Sequence, residues 1–331
     1  MVPKLVCCSE REELIMETKI YKDAFNQATA FIMDNARELE RARFPFEFYN
    51  GTKEDVLYQL EAYQNDDGGF GHGIEPDFWL PSSSPMATWA AGQVLIEIGA
   101  DSNEPIVKAM IEYLINTYDH ATGMWDSVLP ENNDYPHAPW WHWYEGVQEQ
   151  WIYNPSVELV AFLIHWSSGN INAERIGWNT IEKAVSYLMS KDEMDKHELN
   201  NFQKFIKLIK PYQDIFKQKT KYSLSEVSNK ILDLAEQCID RDVSAWIEGY
   251  KPLPLDFIEG SDHPLCERLG SLVQQNLRFY LEQITDDGVW DISWEWGSYS
   301  AELEIARKHW TCILAFDRYK QFKAFGFVPY A

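Results

Sequence analysis

The loop that reads HGIEPDFW, from His72 to Trp79, places two carboxylates beside large aromatic residues. Removing a carboxyl group from water raises its pKa, which is how proteins commonly make a general acid. We therefore expect Glu75 and Asp77 to be catalytic, and His72 and Trp79 to contact the substrate. The alternative is that His72 and Asp77 only hydrogen-bond the loop together.

A second acidic and aromatic segment reads WDISWEWGSY, at positions 290–299. Glu295 lies between two tryptophans, where burial would raise its pKa and make it a proton donor. Asp291 is the other candidate catalytic carboxylate, although it can instead cap its own turn. The residues expected to contact the substrate are Trp294, Trp296 and Tyr299. Substituting either Asp77 or Glu295 by its amide is expected to abolish activity.

A long polar and aromatic insertion, DSVLPENNDYPHAPWWHWYEGVQEQW, occupies positions 126–151. A loop of this length is usually either functional or disordered, and its aromatic content argues against disorder. Tryptophan faces can stack on a ring or on a cation. We expect the insertion to form a cavity wall or lid. Its expected binding residues are His137, Trp140, Trp141, Trp143 and Glu145.

Apolar residues recur at helical spacing along the whole chain, and no segment has the alternation typical of a strand. The pattern predicts an all-α protein. The first helix is long, and Phe44-Pro45 is expected to end it. The predicted helices cover 10–43, 55–63, 82–98, 104–118, 155–166, 173–190, 198–209, 224–239, 270–284 and 302–325.

The connections between helices repeat one pattern, in which a turn, a glycine and an aromatic residue follow a helix. The copies are QNDDGGFG at 64–71, YDHATGMWDS at 118–127 and QITDDGVWDISW at 283–294. Gly68 and Gly69 permit a positive φ and a close backbone approach, and the aspartates can cap the turn. A phosphate-binding loop is excluded because two carboxylates would repel phosphate and no Lys-Ser/Thr follows.

The first copy resembles the QW-type repeat of the terpenoid cyclase and protein prenyltransferase superfamily, and the third copy resembles it with one extra residue. The resemblance implies an α/α toroid, in which paired helices form a ring around a central cavity. It implies one domain over 1–331, with 1–45 as an N-terminal helical segment packing on the ring. The residues that carry the resemblance are Gln64, Asp67, Gly68, Gly69, Phe70 and Gly71, followed by Gln283, Gly288 and Trp290.

The function that this resemblance implies is acid-initiated isoprenoid cyclisation in an aromatic cavity. The DxDD acid motif of the cyclases does not occur, and Glu75-Pro-Asp77 is the nearest acidic motif. The first alternative is a glycoside hydrolase or lyase, because α/α toroids also house such enzymes and paired carboxylates cut glycosidic bonds. The second alternative is a non-catalytic module that binds a lipid or a peptide.

Protein prenyltransferases hold zinc with Asp, Cys and His late in the toroid, and His309 in KHWTC has a matching position. Cys238 and Asp240 stand upstream of it, but in the wrong order for that ligand set. Zinc needs three or four well-placed ligands. We therefore expect neither a metal nor another cofactor. Whether Cys238, Asp240 and His309 form a degenerate zinc site stays open at this point.

Composition limits the partners. The formal net charge is −23, which disfavours nucleic acid because phosphate neutralisation needs clustered Lys and Arg. The basic run at 204–221 is interpreted as a solvated helix face rather than an anion site. The five cysteines include no CxxC pair, the N-terminus is charged too early for a signal peptide, and no apolar run is long enough to span a membrane. We expect a cytoplasmic protein that binds a small molecule, an isoprenoid or an oligosaccharide.

Overall fold

The computed structural model describes residues 8–167 and 169–327, and within these ranges it contains helices and no strand, so the predicted all-α class is confirmed. No helix there combines the length and apolarity needed to cross a membrane. The helices are α1 (Cys8–Asn35), α2 (Glu38–Phe48), α3 (Lys53–Glu61), α4 (Pro85–Glu97), α5 (Pro105–Asn116), α6 (Gln148–Trp151), α7 (Ser156–Trp166), α8 (Ile171–Met189), α9 (Lys196–Ile209), α10 (Gln213–Thr220), α11 (Leu224–Cys238), α12 (Pro264–Leu269), α13 (Ser271–Glu282) and α14 (Ser300–Ala324).

Most helices begin and end near the positions that the sequence predicts. The start of α4 illustrates why, since Ser84 Oγ accepts a hydrogen bond from the backbone N–H of Ala87 at 3.1 Å and Pro85 occupies the first turn. Gly99 follows this helix with φ +62° and ends it. Three shorter helices were not predicted from the sequence: α6, α10 and α12.

The predicted first helix is wrong in its extent, because the chain breaks at Arg37 and then continues helical through Pro45. Arg37 has extended backbone, with φ −64° and ψ 159°. The helix tolerates proline because Phe44 and Phe48 pack their rings 4.7 Å apart in the core. Burial of these two rings offsets the lost helical hydrogen bond and the proline clash, which together cost about 3 kcal/mol.

Three corners between helices share one local geometry, as the repeated sequence pattern predicts. Their glycines Gly68, Gly123 and Gly288 have φ of +89°, +81° and +76°. In each corner the glycine N–H donates to a carbonyl three or four residues earlier, at 2.8–2.9 Å. The aromatic residue that follows is buried in every case: Phe70, Trp125 and Trp290. The pattern is therefore a repeated structural corner.

Side chains of the first corner connect neighbouring elements. Gln64 Nε2 donates to the carbonyl of Gly68 at 3.0 Å and to that of Ile106, in α5, at 2.9 Å. Asp67 Oδ1 accepts from the backbone N–H of Gly69 at 3.0 Å and from Ser83 Oγ at 2.6 Å. Asp67 therefore stabilises the turn, and Gln64 fixes it to the next helical hairpin.

The first and last parts of the described chain are neighbours. Helix α1 packs against α14 and α2. The third corner also reaches α1, because a Cβ built on Gly288 would lie 2.1 Å from the carbonyl oxygen of Ala24. Tyr319, in α14, donates to the carbonyl of Gly288 at 2.6 Å. One corner thus touches both the first and the last long helix.

Candidate active site

A cavity of about 770 Å³ collects residues from most of the described chain. Its lining combines aromatic faces with charged and amide groups. The aromatic residues include Trp89, Trp140, Trp141, Trp246, Tyr250 and Trp294. The polar residues include Glu75, Asp77, Asn201, Lys204, Asp291 and Arg318.

Arg37 holds the loop that presents Glu75 to this cavity. Its Nη1 donates to the carbonyls of Gly73 and Ile74, both at 2.9 Å. The same guanidinium forms two hydrogen bonds of 2.7 Å to the carboxylate of Glu40, which is buried. A bidentate charged pair of this kind fixes geometry as well as adding energy. The break between α1 and α2 is what turns Arg37 toward the loop.

The 126–151 insertion braces the other side of the same loop. The backbone N–H of Ala138 donates to the carbonyl of Asp77 at 2.8 Å, and that of Trp79 donates to the carbonyl of Pro136 at 2.9 Å. Trp141 then stacks on Trp151, with ring centroids 4.7 Å apart. The insertion therefore forms part of the cavity wall and holds Asp77 in place.

Asp77 lies beneath a group of indoles. It is 3% exposed, and its Oδ1 accepts a hydrogen bond from Trp296 Nε1 at 3.1 Å. Burial raises the pKa of Asp77, and the indole N–H groups of Trp296, Trp310 and Trp294 act in the opposite direction. Among the described residues, Nε1 of Trp294 and of Trp310 has no hydrogen-bond partner. These two donors are free to bind an ionised Asp77 or a bound ligand.

Glu75 is the neighbouring carboxyl group and has no comparable set of donors. The Glu75 side chain is half-buried: it is exposed to the cavity that it lines and is otherwise surrounded by protein. Burial raises the pKa of Glu75, the charge of Asp77 raises it further, and Arg37 acts against both. The two environments favour a protonated Glu75 beside an Asp77 that carries negative charge more easily. A protonated carboxyl beside a carboxylate is the arrangement that general acid–base catalysis uses.

We predict that the double variant Glu75→Gln/Asp77→Asn melts at a higher temperature than the wild type at pH 7. Both folded-state pKa values are raised, so the folded protein binds more protons than the unfolded chain between the ordinary and the raised values. The wild-type free energy of unfolding therefore falls as pH rises through that interval. The advantage of the variant should be several degrees near pH 8 and should vanish near pH 4.

Circular dichroism melts from pH 4 to pH 8 measure this difference. Glu295→Gln is the matched control, because it removes one exposed carboxylate from the neighbouring acidic segment. A double variant whose advantage does not change with pH would mean that the pair is not desolvated.

Several predicted site residues do meet at the cavity. Trp140, Trp141, Asp291 and Trp294 line it together with the acid pair. Trp296 lies behind Asp77 and binds its carboxylate. Both acidic segments and the insertion, which the sequence analysis singled out separately, therefore contribute to one cavity.

Other predicted binding residues, His72, Trp79, Trp143 and Glu145, lie outside the lining of this cavity. His72 is exposed, and its Nε2 lies 2.9 Å from Asn65 Oδ1. Trp79 Nε1 donates to the carbonyl of Pro76 at 2.9 Å, which closes a local turn. Trp143 is held at its backbone N–H by Asn133 Oδ1 at 2.8 Å, and Glu145 is exposed on the insertion surface. Each of these groups serves the loop conformation.

His137 and Tyr299 also lie beside the site rather than on its wall. His137 is buried, and its Nε2 lies 3.0 Å from Nδ1 of His142. Its Nδ1 lies 2.6 Å from the carbonyl oxygen of Tyr135. The ring of Tyr299 packs near it, with centroids 5.7 Å apart. His137 therefore anchors the insertion that covers Asp77.

The predicted burial of Glu295 is wrong. Its side chain is 69% exposed and forms an ion pair with Arg307 at 2.8 Å. Burial alternates along this segment, since Trp294 is partly buried, Glu295 is exposed and Trp296 is buried, as expected where successive side chains point to opposite sides. Trp294 and Trp296 accordingly turn toward Asp77 while Glu295, between them, turns to solvent. An exposed carboxylate lacks the desolvation that a proton donor needs.

Sequence reasoning missed the wall made by α9 and α14. Lys196, Asn200 and Lys204 follow one another at four-residue spacing on α9, and all three line the cavity. Arg318 lines it from α14. Lys204 is thus not part of a solvated face, as the basic run at 204–221 suggested. The spacing of the three α9 residues was the available signal.

The residues considered for zinc, Cys238, Asp240 and His309, do not form one group. No group of three or more His, Cys, Asp or Glu side chains in residues 8–167 and 169–327 is arranged to hold a metal ion. Burial lowers the pKa of His309, and its charged neighbours are Arg37 and Glu40. Burial raises the pKa of Cys238, with Asp195 and Lys196 acting on it. His309 and Cys238 thus have different charged neighbours.

Comparison with known proteins gives no match among family models, curated proteins or solved structures. What the geometry defines is a class: an all-helical protein that holds a desolvated carboxyl pair in a cavity walled by indoles, amides and cations. The chemistry of that cavity is the evidence for its function.

Proposed function

We infer that the helices close into a ring, an α/α toroid, with the cavity at its centre. Three observations support closure. The corner at Gly288 abuts Ala24 of α1, and α1 packs against α14, so the last unit meets the first. The cavity lining draws on α4, α9, α13 and α14 and on the loops between them. A closed ring accounts for inward residues that come from such distant parts of the chain.

We propose that the cavity binds and cleaves a carbohydrate. The observation that supports this proposal is the composition of the wall, where indole faces alternate with amides and charged groups. A sugar has apolar faces that stack on aromatic rings and a rim of hydroxyls that binds polar groups. A hydrocarbon would leave the charges of Lys204 and Arg318 dehydrated without a counter-charge, which costs several kcal/mol for each such group. A polyhydroxylated ligand satisfies both kinds of wall.

In the proposed reaction, Glu75 donates its proton to the leaving oxygen as the bond between that oxygen and the anomeric carbon breaks. Asp77 stabilises the positive charge that develops on the sugar ring. A water molecule then adds to the anomeric carbon, and its proton returns to the carboxylate of Glu75. The sum is hydrolysis of one glycosidic bond by one water. The indole donors around Asp77 favour its ionised form and so oppose the burial that raises its pKa.

Isoprenoid cyclisation is the second candidate, and the indoles around Asp77 are the observation that favours it. Trp294, Trp296 and Trp310 surround this carboxyl, and aromatic faces stabilise carbocations. The corner motif resembles that of the cyclase superfamily. In this alternative a protonated carboxyl of the pair would donate to an alkene, and the cationic wall would face the head of the substrate.

Trp140→Ala tests the carbohydrate proposal. Trp140 lines the cavity, yet it is 40% exposed, so its removal should not disturb folding. We expect affinity for oligosaccharides to fall about 10-fold, the typical loss for a tryptophan that anchors a ligand. Calorimetry against neutral and acidic oligosaccharides of several linkages measures affinity, and a reducing-end assay measures cleavage.

Tyr144→Ala is the matched control, because Tyr144 is an exposed aromatic of the same insertion that lies outside the cavity lining. It should bind like the wild type. Prenyl alcohols and prenyl diphosphates form the second arm of the panel. Binding or cyclisation of a prenyl compound, with no sugar bound, would replace the carbohydrate proposal by the isoprenoid one.

A further inference from the structure

The cavity contains cations that no carboxylate neutralises at close range. Lys196 is paired with Asp256 at 3.1 Å, and Lys251 is paired with Asp240 at 3.2 Å. Arg318 and Lys204 also line the cavity, and among the described residues neither forms an ion pair. In a chain of net charge −23, with carboxylates in excess, two unpaired cations facing one cavity require an explanation.

Arg318 is held in position by aromatic rings. Its guanidinium carbon lies 4.3 Å from the ring centroid of Tyr280 and 5.1 Å from that of Trp290. Such stacking orients the planar group, and the Tyr280 hydroxyl also interacts with it, but no carboxylate forms an ion pair with its N–H donors. Asp256 acts on Arg318 at longer range, but its carboxylate already accepts from Lys196. A desolvated guanidinium without a paired carboxylate is costly unless an anion binds it.

Lys204 extends the same polar wall. It follows Asn200 and Lys196 on the inward face of α9, and its Nζ lies 5.9 Å from the ring centroid of Trp89. Glu158, Glu259 and Asp317 act on it electrostatically without forming an ion pair. Glu158 instead accepts from Trp89 Nε1 at 2.7 Å. The ammonium group therefore stays available to the cavity.

The cations and the acid pair do not neutralise one another. Neither Glu75 nor Asp77 forms an ion pair with a cavity cation, and the cation that acts on Glu75 is Arg37, outside the cavity lining. A ligand that fills the cavity thus meets a proton donor at one place and unpaired positive charge at another. The matching ligand combines a glycosidic oxygen with a separate anionic group.

We propose that Arg318 and Lys204 form a subsite for an anionic substituent of the sugar, so that the substrate is an acidic oligosaccharide. This inference rests on the proposed function. The planar fork of arginine matches the oxyanion pair of a carboxylate and also matches phosphate. The shared chemistry is an oxyanion carried on the ring, as in a uronic acid or a sugar phosphate.

The test compares matched ligands that differ only in charge. The ligands are an oligosaccharide of glucuronic acid, the same-linkage oligosaccharide of glucose, and its phosphorylated form, each at several linkages. Calorimetry on the full chain should show the acidic ligand binding about 10- to 100-fold tighter than the neutral one, the range expected for a charged hydrogen bond. Whether the carboxylate or the phosphate ligand binds tighter identifies the substituent.

Arg318→Gln should remove the preference for the acidic ligand, because glutamine keeps hydrogen-bonding groups but carries no positive charge. Arg318→Lys should retain part of the preference for the acidic ligand. Lys204→Met should reduce this preference without altering the stacked guanidinium, so the proposal stays testable if Arg318→Gln does not fold. Lys207→Met is the matched control, because Lys207 is an exposed lysine of α9 that pairs with Glu259 outside the cavity.

The outcomes separate this inference from the proposed function. Equal binding of acidic and neutral sugars by the wild type overturns the anion subsite and leaves the carbohydrate proposal standing. Absence of sugar binding, with or without binding of a prenyl diphosphate, overturns both. Discrimination that survives in Arg318→Gln and in Lys204→Met would assign the effect to other residues and overturn the subsite.

Discussion

Asp77→Asn is expected to lower kcat by about 10³-fold, the effect typical of removing a group that stabilises charge in the transition state. The amide has the shape of the carboxyl and can still accept from Trp296 Nε1, whose present bond to Asp77 is 3.1 Å. It cannot carry the negative charge that the indole donors stabilise. The loss should therefore appear in kcat, while KM and the melting temperature at low pH stay near the wild-type values.

Glu75→Gln should cause a loss of similar size and should also remove the alkaline limb of the pH profile, because Glu75 is the group that must be protonated. Glu295→Gln is the control for both variants. It removes a carboxylate from the neighbouring aromatic segment, but that side chain is exposed and paired with Arg307. Full activity of Asp77→Asn, or equal loss in Glu295→Gln, would show that the cavity pair does not perform the chemistry.

The corners were predictable because their signals are local. A glycine with positive φ, an aspartate that accepts from its own turn, and an aromatic that follows all lie within a few residues of one another. Ser84 and Pro85 likewise specify the start of α4 without distant partners. Helix ends encoded in this way are predictable from the chain alone.

The break at Arg37 was not predictable in this way, because its cause is distant. The guanidinium binds the carbonyls of Gly73 and Ile74, more than thirty residues along the chain. The Pro45 signal was local but weaker than the packing of Phe44 and Phe48 in the core. Tertiary contacts therefore ended a helix where the local pattern predicts continuation, at Arg37, and continued one where it predicts an end, at Pro45.

The site residues also fall into those with a local sequence signal and those positioned by tertiary contacts. The acidic loops were found because carboxylates beside aromatics are unusual in sequence, whereas a lysine on a helix usually faces solvent. The face of α9 that points inward is set by the elements that pack around the helix, so it cannot be inferred from any single residue of α9. Glu295 shows the converse error, since proximity to Trp294 and Trp296 in sequence does not mean burial among them where the exposure of successive side chains alternates.

Gly68→Ala is expected to destabilise the protein by about 4 kcal/mol or more, enough to unfold a marginally stable chain. Two costs combine. The φ of +89° is unfavourable for any residue with a Cβ, and the added Cβ would lie 2.2 Å from the carbonyl oxygen of Ala109. The backbone of α5 cannot retreat without losing the bond from Gln64 to Ile106.

Gly99→Ala separates these two costs, because Gly99 also has a positive φ, +62°, but an added Cβ there meets no atom within 4 Å. It should cost only the strain of a left-handed alanine, about 1–2 kcal/mol. Chemical denaturation of both variants measures the difference. Similar stabilities would mean that the corner and α5 are not in close contact. A large excess cost at Gly68 would show that the corner packs tightly against the next helical hairpin. The inferred ring needs such contacts between hairpins to hold Glu75 and Asp77 at its centre.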